Sequence, residues 1–363
     1  MLQAFQTDFL ADSVFFPTDG RKISEQSGYC FGFRKYADWY RDFARYLETT
    51  EIIVGSPTMT TLSKAIAAAE AAGIKQEKLP VDDLTINVAR FGRGRPLLLL
   101  HGWPEFWIVW RPVMERLGDA FELIAPDLRG FGETGKPTPA PDPTGTADRH
   151  AQDMLGLMTK LGFERFGLVA GDVGAYVAQA MSHRAPERLI GTFYFCTPYP
   201  GLGSRYAQPS HLIEVWYQYF QQLPWAAELV GSSREACRLY FKYFLDHWSG
   251  DNPAVFADML DVYVDNFMKP GNIQGGFDWY LSSGPNRRLW LEGKLPPKPP
   301  INVPTRFLWG RRDPLIPIEW ADKLGEYWTN YAIDFADAGH FVHAEVPDLA
   351  AKGVLAFFDN LAA

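Results

Sequence analysis

Cysteine is scarce. Cys30, Cys196 and Cys237 are too few and too far apart in 363 residues to build a disulfide framework or a cysteine-rich zinc site. Such usage fits a reducing compartment. Long apolar runs are missing too: none approaches the roughly 18 residues of a spanning helix, so no membrane segment is expected. The opening MLQAFQTDFLADS lacks the basic stretch and apolar core of a secretory signal. Positive charge is in deficit, with 35 Lys and Arg against 43 Asp and Glu and a formal net charge of -8. That balance argues against nucleic acid or an anionic membrane as main partner. It says nothing against a small neutral substrate. The expectation is a cytoplasmic protein.

What the chain does have is an ordinary globular composition, 47% hydrophobic and 21% charged, with a high 15% of aromatics unevenly spread. Its length suits one large domain with an insert, or two modest ones. Residues 1–76 form an N-terminal extension. Within it, Tyr36, Trp39, Tyr40, Phe43 and Leu47 fall at helical spacing and make an aromatic face. TLSKAIAAAEAAG predicts a second helix, stopped by Gly73. The aromatic face must pack on the main domain or on a second subunit, so a homo-oligomer is one expectation.

From about residue 77, strands and helices alternate. LTINVARFG reads as a strand of period two, and the wholly apolar PLLLL (96–100) as a central strand of a parallel sheet. FELIAP, FGLVAG, LIGTFYFC and PTRFLWG follow the same grammar, which predicts an α/β fold with helices on both faces of the sheet. The alternation breaks between about Pro198 and Pro300. That stretch is helical in pattern, crowded with aromatics, and closed by the proline-rich GKLPPKPPINVP. It reads as a helical cap inserted into the sheet domain.

One acid stands out. Asp172 follows the strand FGLVAG and opens a helix of small residues, with Ala170 and Gly174 two positions either side. Small-x-nucleophile-x-small is the frame of a nucleophile elbow. A carboxylate, with an ordinary pKa near 3.9, is ionised at neutral pH and needs no base to attack. Its targets are saturated carbons bearing a leaving group, because attack there gives an ordinary ester. Taken alone, Asp172 could equally be a helix N-cap. The rest of the chain decides. Asp313 stands just past a strand in FLWGRRDPLIP, and His340 lies on a loop in ADAGHFVHAEVPD, with His343 its nearest competitor. Nucleophile, acid, base is the chain order expected, with Asp313 orienting His340 to activate water. The backbone N–H groups of Trp103, in HGWPEFWIVWR, and of Val173 are expected to form an oxyanion hole. His101, Asp127 and Arg129 read as structural braces of the surrounding loops.

HGWPEFWIVWR, DLRGFGETGKP, GDVG, WGRRDPLIP and GHF, in this order, resemble the epoxide hydrolases of the α/β-hydrolase fold, the soluble type in particular. The resemblance runs from about residue 77 to the C-terminus. It implies a mostly parallel central sheet with helices on both faces, with core segments 77–197 and 301–363 around a cap at 198–300. It implies no cofactor and no metal. It also implies a small apolar epoxide and water as reactants, opened by Asp172 to give a diol. In that family two cap tyrosines donate hydrogen bonds to the epoxide oxygen. FDWYLSSG is similar to the family's Asn-Trp-Tyr-Arg segment and points to Tyr280. EVWYQYFQQLP is similar to the other segment but one residue longer. Registering on Pro224 selects Tyr217, whereas registering on Phe220-Gln221 selects Trp216, which has no hydroxyl; Tyr217 is preferred.

Two departures stand beside the resemblance. Gly171 and Val173 flank the nucleophile where many relatives have His and Trp. The extension is unexplained. The missing indole counts against a haloalkane-type dehalogenase, the alternative enzyme with the same nucleophile. GDVGAYV also lacks the arginine clamp of a fluoroacetate-type enzyme. A non-catalytic ligand-binding protein on the same fold is the alternative of another class.

Overall fold

The computed structural model describes residues 60–137 and 146–361. The aromatic helix expected near residues 36–47 lies outside them. The chain begins with α1 (Thr61–Ala71), β1 (Lys75–Val81), β2 (Leu84–Gly92) and β3 (Arg95–Leu100). It continues through α2 (Arg111–Leu117), β4 (Phe121–Pro126), α3 (Ala147–Lys160), β5 (Phe166–Gly171), α4 (Asp172–Arg184) and β6 (Leu189–Phe195). A helical stretch follows, with α5 (Leu212–Val215), α6 (Tyr217–Phe220), α7 (Ala226–Val230), α8 (Arg234–Trp248), α9 (Leu260–Phe267) and α10 (Asn272–Leu291). The sheet resumes with β7 (Thr305–Gly310) and β8 (Tyr331–Ala336), and the chain closes on α11 (Val342–Glu345) and α12 (Pro347–Asp359).

The eight strands form one sheet in the order β1-β2-β4-β3-β5-β6-β7-β8. β1–β2 and β2–β4 are antiparallel; every other pair is parallel. This is the α/β-hydrolase architecture. The central strands are continuous apolar runs because helices cover both faces: all of β5, Phe166–Gly171, is buried. β1 has no such signature. KQEKLPV is polar, alternates between exposed and half-buried, and carries Pro80, which an edge strand tolerates. That is why the sequence pattern does not reveal it.

The described residues belong to one compact unit. Within it α1 is tied to α9: the Thr61 hydroxyl and the Leu62 N–H both donate to Asp265, at 2.6 and 3.0 Å. No helix among the described residues is long and apolar enough to cross a membrane. Between β6 and β7 the chain contains helices and no strand, and its aromatics pack over the C-terminal ends of β3 and β5. Tyr217 lies against Trp103, and Trp248 against His340. In a parallel sheet those ends are where substrates bind.

Candidate active site

β5 delivers Asp172 to the end of the sheet through a turn so sharp that the residue takes φ 46°, the left-handed region. Holding a side-chain-bearing residue there costs on the order of 1–3 kcal/mol. The neighbours make the turn feasible. A Cβ on Gly174 would lie 2.3 Å from the Leu100 carbonyl oxygen, so only glycine lets α4 start this close to β3. Asp172 is buried, and its two oxygens have different surroundings. Oδ1 accepts a 2.8 Å hydrogen bond from the Trp103 N–H. Oδ2 faces His340 Nε2 at 3.6 Å. Val173 stands in the first turn of α4, where helix N–H groups have no carbonyl partner of their own.

His340 comes from the loop after β8. Its N–H donates to the Trp248 carbonyl at 2.6 Å, and a Cβ on Gly339 would lie 2.3 Å from that same oxygen. Glycine there lets the loop pass directly beneath α8. His340 Nδ1 is 2.8 Å from Asp313 Oδ2, while Asp313 Oδ1 accepts from the Leu315 and Ile316 N–H groups at 2.8 and 3.0 Å. Asp313 is thus fixed on one side by backbone and on the other fixes the imidazole. Burial alone would lower the His340 pKa. The charge of Asp313 and the hydrogen bond and charge of Asp172 outweigh it and push the ring up to about 10. At neutral pH the resting site therefore holds an imidazolium between two carboxylates.

Tyr217 and Tyr280 meet edge to face with ring centroids 5.4 Å apart. The Tyr217 ring stacks on Trp103 at 5.1 Å and 12°. Burial first, then neighbouring groups including Asp172, raise both phenols above their ordinary pKa, so both stay protonated. Gln218 Nε2 donates to the Tyr217 hydroxyl at 2.8 Å, which frees the hydroxyl's own proton for another acceptor. Trp216, the other candidate in that segment, is half-buried and stacks on Phe244. The seven residues singled out from the sequence (Trp103, Asp172, Val173, Tyr217, Tyr280, Asp313 and His340) thus lie together at the sheet's C-terminal end.

The braces behave as structure. His101 Nδ1 donates to the Gly102 carbonyl at 2.8 Å and Nε2 accepts from the Leu128 N–H at 3.0 Å; burial pulls its pKa down and keeps it neutral. Asp127 accepts from the Trp107 and Glu133 N–H groups and the Asn87 amide, each at 2.9 Å. Arg129 grips Asp153 with two bonds of 2.7 and 2.8 Å. One pair escaped the sequence reading. Glu105 Oε2 accepts from the Gly102 N–H at 2.8 Å and Oε1 meets His343 Nε2 at 2.8 Å, both residues being buried. His343 is therefore a partner of the loop carrying Trp103. The signal was Glu105 itself, three residues past Gly102 at a loop turn.

Cys196, Asp313 and His340 place ligand-type atoms within 4.8 Å of one another. The donor set does not suit a metal. Burial and Asp313 hold the Cys196 thiol well above its ordinary pKa, and His340 Nδ1 is committed to Asp313.

Residues 95–233 match the family described as alpha/beta hydrolase fold. A soluble epoxide hydrolase from Corynebacterium sp. (strain C12) is 30% identical over 296 residues, covering 79% of this chain and 98% of that protein. A fluoroacetate dehalogenase from Burkholderia sp. is 29% identical over 224 residues, covering 58% of this chain and 70% of that one. Among solved structures, the epoxide hydrolase CorEH without ligand superposes with a TM-score of 0.68 at 26% identity, covering 79% of this chain and 99% of that chain. The fold and the site define an α/β hydrolase whose elbow carries a carboxylate. The chain belongs to the epoxide hydrolase family of that fold.

Proposed function

We propose that the protein hydrolyses apolar epoxides to vicinal diols through a covalent ester on Asp172. The observation that carries this reading is that two protonated phenols, Tyr217 and Tyr280, pack against Trp103, whose N–H holds the buried Asp172 carboxylate. An alkoxide is a poor leaving group, and phenolic donors ease its departure as the ring opens. Asp172 Oδ2 attacks the ring carbon while Oδ1 stays on the Trp103 N–H. The opened oxygen takes a proton from the tyrosine pair.

Ester formation then sets up the second step. It removes the negative charge of Asp172, one of the causes that raise the His340 pKa. The His340 pKa falls, and the imidazolium gives its proton to the tyrosinate left by ring opening and becomes a base. Oriented by Asp313, it takes a proton from water as the water attacks the ester carbon. The developing oxyanion is Oδ1, in the donors of Trp103 and Val173. Collapse breaks the Cγ–Oδ2 bond: the departing alkoxide takes the proton held by His340 to give the diol, the new carboxyl returns its proton to His340, and the water oxygen stays in the carboxylate. In this reading residues 198–300 are the cap, 77–197 and 301–363 the catalytic core, and 1–76 an extension.

Purified protein with styrene-type epoxides should form diol. The His340→Gln variant should accumulate protein heavier by one substrate in a mass spectrum. Full activity in Asp172→Ala, or a histidine variant that never carries an adduct, would overturn the mechanism. Dehalogenation is less well supported. Val173 supplies no indole beside the nucleophile, and the Trp103 indole N–H, buried without an acceptor, faces Gly276 of α10.

A further inference from the structure

Arg287 lies on α10 seven residues beyond Tyr280. Seven residues are two helical turns, so both side chains leave the helix on one face with their Cα atoms about 10 Å apart. The Arg287 guanidinium carbon lies 5.3 Å from the Trp290 ring centroid and 5.7 Å from that of Tyr206. Those two rings are 4.8 Å apart, and Tyr176, one turn past Asp172 on α4, sits 6.4 Å from Trp290. Aromatic faces therefore wall the guanidinium on the side away from solvent.

Its polar atoms are not provided for. Nε and Nη2 are buried and meet no acceptor among the described residues. A buried donor left unmade costs about 1–3 kcal/mol, and more for a charged group. The charge is also felt at the reacting centre. The phenols of Tyr176, Tyr206, Tyr217 and Tyr280 are raised chiefly by burial, and in each case Arg287 draws the value back down. A planar fork of donors, facing rings and within electrostatic reach of the catalytic hydroxyls, matches a carboxylate or similar oxoanion.

We propose that Arg287 is a specificity-determining residue: it binds a carboxylate at the far end of an otherwise apolar epoxide substrate. The proposal rests on the epoxide reading and narrows it, from any apolar epoxide to one bearing an anionic group several bonds from the ring. The anion satisfies Nε and Nη2, and the aromatic walls take the chain between. The charge of Asp172 would otherwise repel such a substrate, and the guanidinium compensates.

The test uses a ladder of terminal epoxides with an aliphatic carboxylate, from four to eleven carbons, each paired with its methyl ester. The quantity read is the acid-to-ester ratio of kcat/KM, which cancels any general loss of activity in a variant. The full-length wild type should favour the acid above a threshold chain length. Arg287→Met should cut that ratio by roughly ten- to a hundredfold, the range of one charge-assisted hydrogen bond. Arg287→Lys should restore part of it. The loss should fall on KM more than on kcat. In parallel, calorimetry measures binding of the matching saturated carboxylates and their methyl esters, which needs no turnover. Diol formed from acid and ester alike, with the same ratio in every variant, overturns the anion site and leaves the epoxide reading intact. Carboxylate binding that depends on Arg287, without hydrolysis of any epoxide, keeps the site and overturns the epoxide reading. Carboxylates binding no better than their esters in wild type overturns the site as well, and leaves Arg287 as a cation packed on Trp290 and Tyr206.

Discussion

His340 Nε2 and Asp172 Oδ2 face each other at 3.6 Å, while the other ring nitrogen is held by Asp313 at 2.8 Å. In the proposed mechanism His340 is the base, and it stands between two carboxylates, one of which is the group to be alkylated. That arrangement couples the protonation of His340 to the covalent state of Asp172.

The coupling is measurable. In the resting enzyme His340 should titrate near 10. The Asp172→Asn variant copies the charge loss of the ester and should lower that value. A histidine-resolved NMR titration of both proteins checks the shift, and an unchanged His340 in the variant contradicts it. The sign for stability also follows. The folded value is raised above the ordinary one near 6.5, so the contribution is full below about pH 6.5 and is lost as pH rises toward 10. Thermal melts between pH 7 and 10 should show wild type losing stability that the His340→Gln variant does not lose.

The tyrosines should share one job. Each of Tyr217→Phe and Tyr280→Phe removes one hydroxyl from a pair of neighbouring phenols and leaves the other in place. A proton donor of this kind contributes about 100- to 10,000-fold. Either single variant should therefore lose less than that, and the double variant close to all of it. Rapid-quench measurement of ester formation should place the loss in the first step. A loss confined to ester hydrolysis would argue that the phenols serve another purpose.

Glu105 and His343 should matter without touching substrate. They form a buried hydrogen-bonded pair, and Glu105 also accepts the Gly102 N–H, beside the Trp103 donor. Leaving a buried polar group without its partner costs about 1–3 kcal/mol. Glu105→Ala should lower the melting temperature by several degrees and slow both chemical steps, because Trp103 loses its anchor. Urea denaturation measures the cost. A variant as stable as wild type would show that the loop is held by other bonds.

The fold was legible in the sequence where strands are buried on both faces. β3, β5 and β7 read as apolar runs because nothing polar fits between two helix layers. The polar edge strand β1 was not, because one-sided burial and Pro80 erase the pattern. The placement of Asp172, Asp313 and His340 was legible because Asp172 directly follows a strand and the other two lie in the short loops after β7 and β8, and parallel strands deliver such residues to one end of the sheet. The Glu105–His343 pair was hidden. Its members come from opposite ends of the chain, and only packing brings them together. Arg287 was hidden for another reason: in NRRLW it looks like a solvated helix charge, and only the burial of its Nε and Nη2 among aromatic rings sets it apart.

The central claim is that the carboxylate itself bonds to the epoxide carbon. A single-turnover reaction in heavy-oxygen water, with enzyme in excess over epoxide, tests it most directly. The account expects the first diol to carry light oxygen, taken from Asp172, and the heavy atom to appear in the Asp172 side chain on peptide mass analysis. Heavy oxygen in the first-turnover diol, with Asp172 left unlabelled, would mean that water attacks the ring directly, and the account would be wrong.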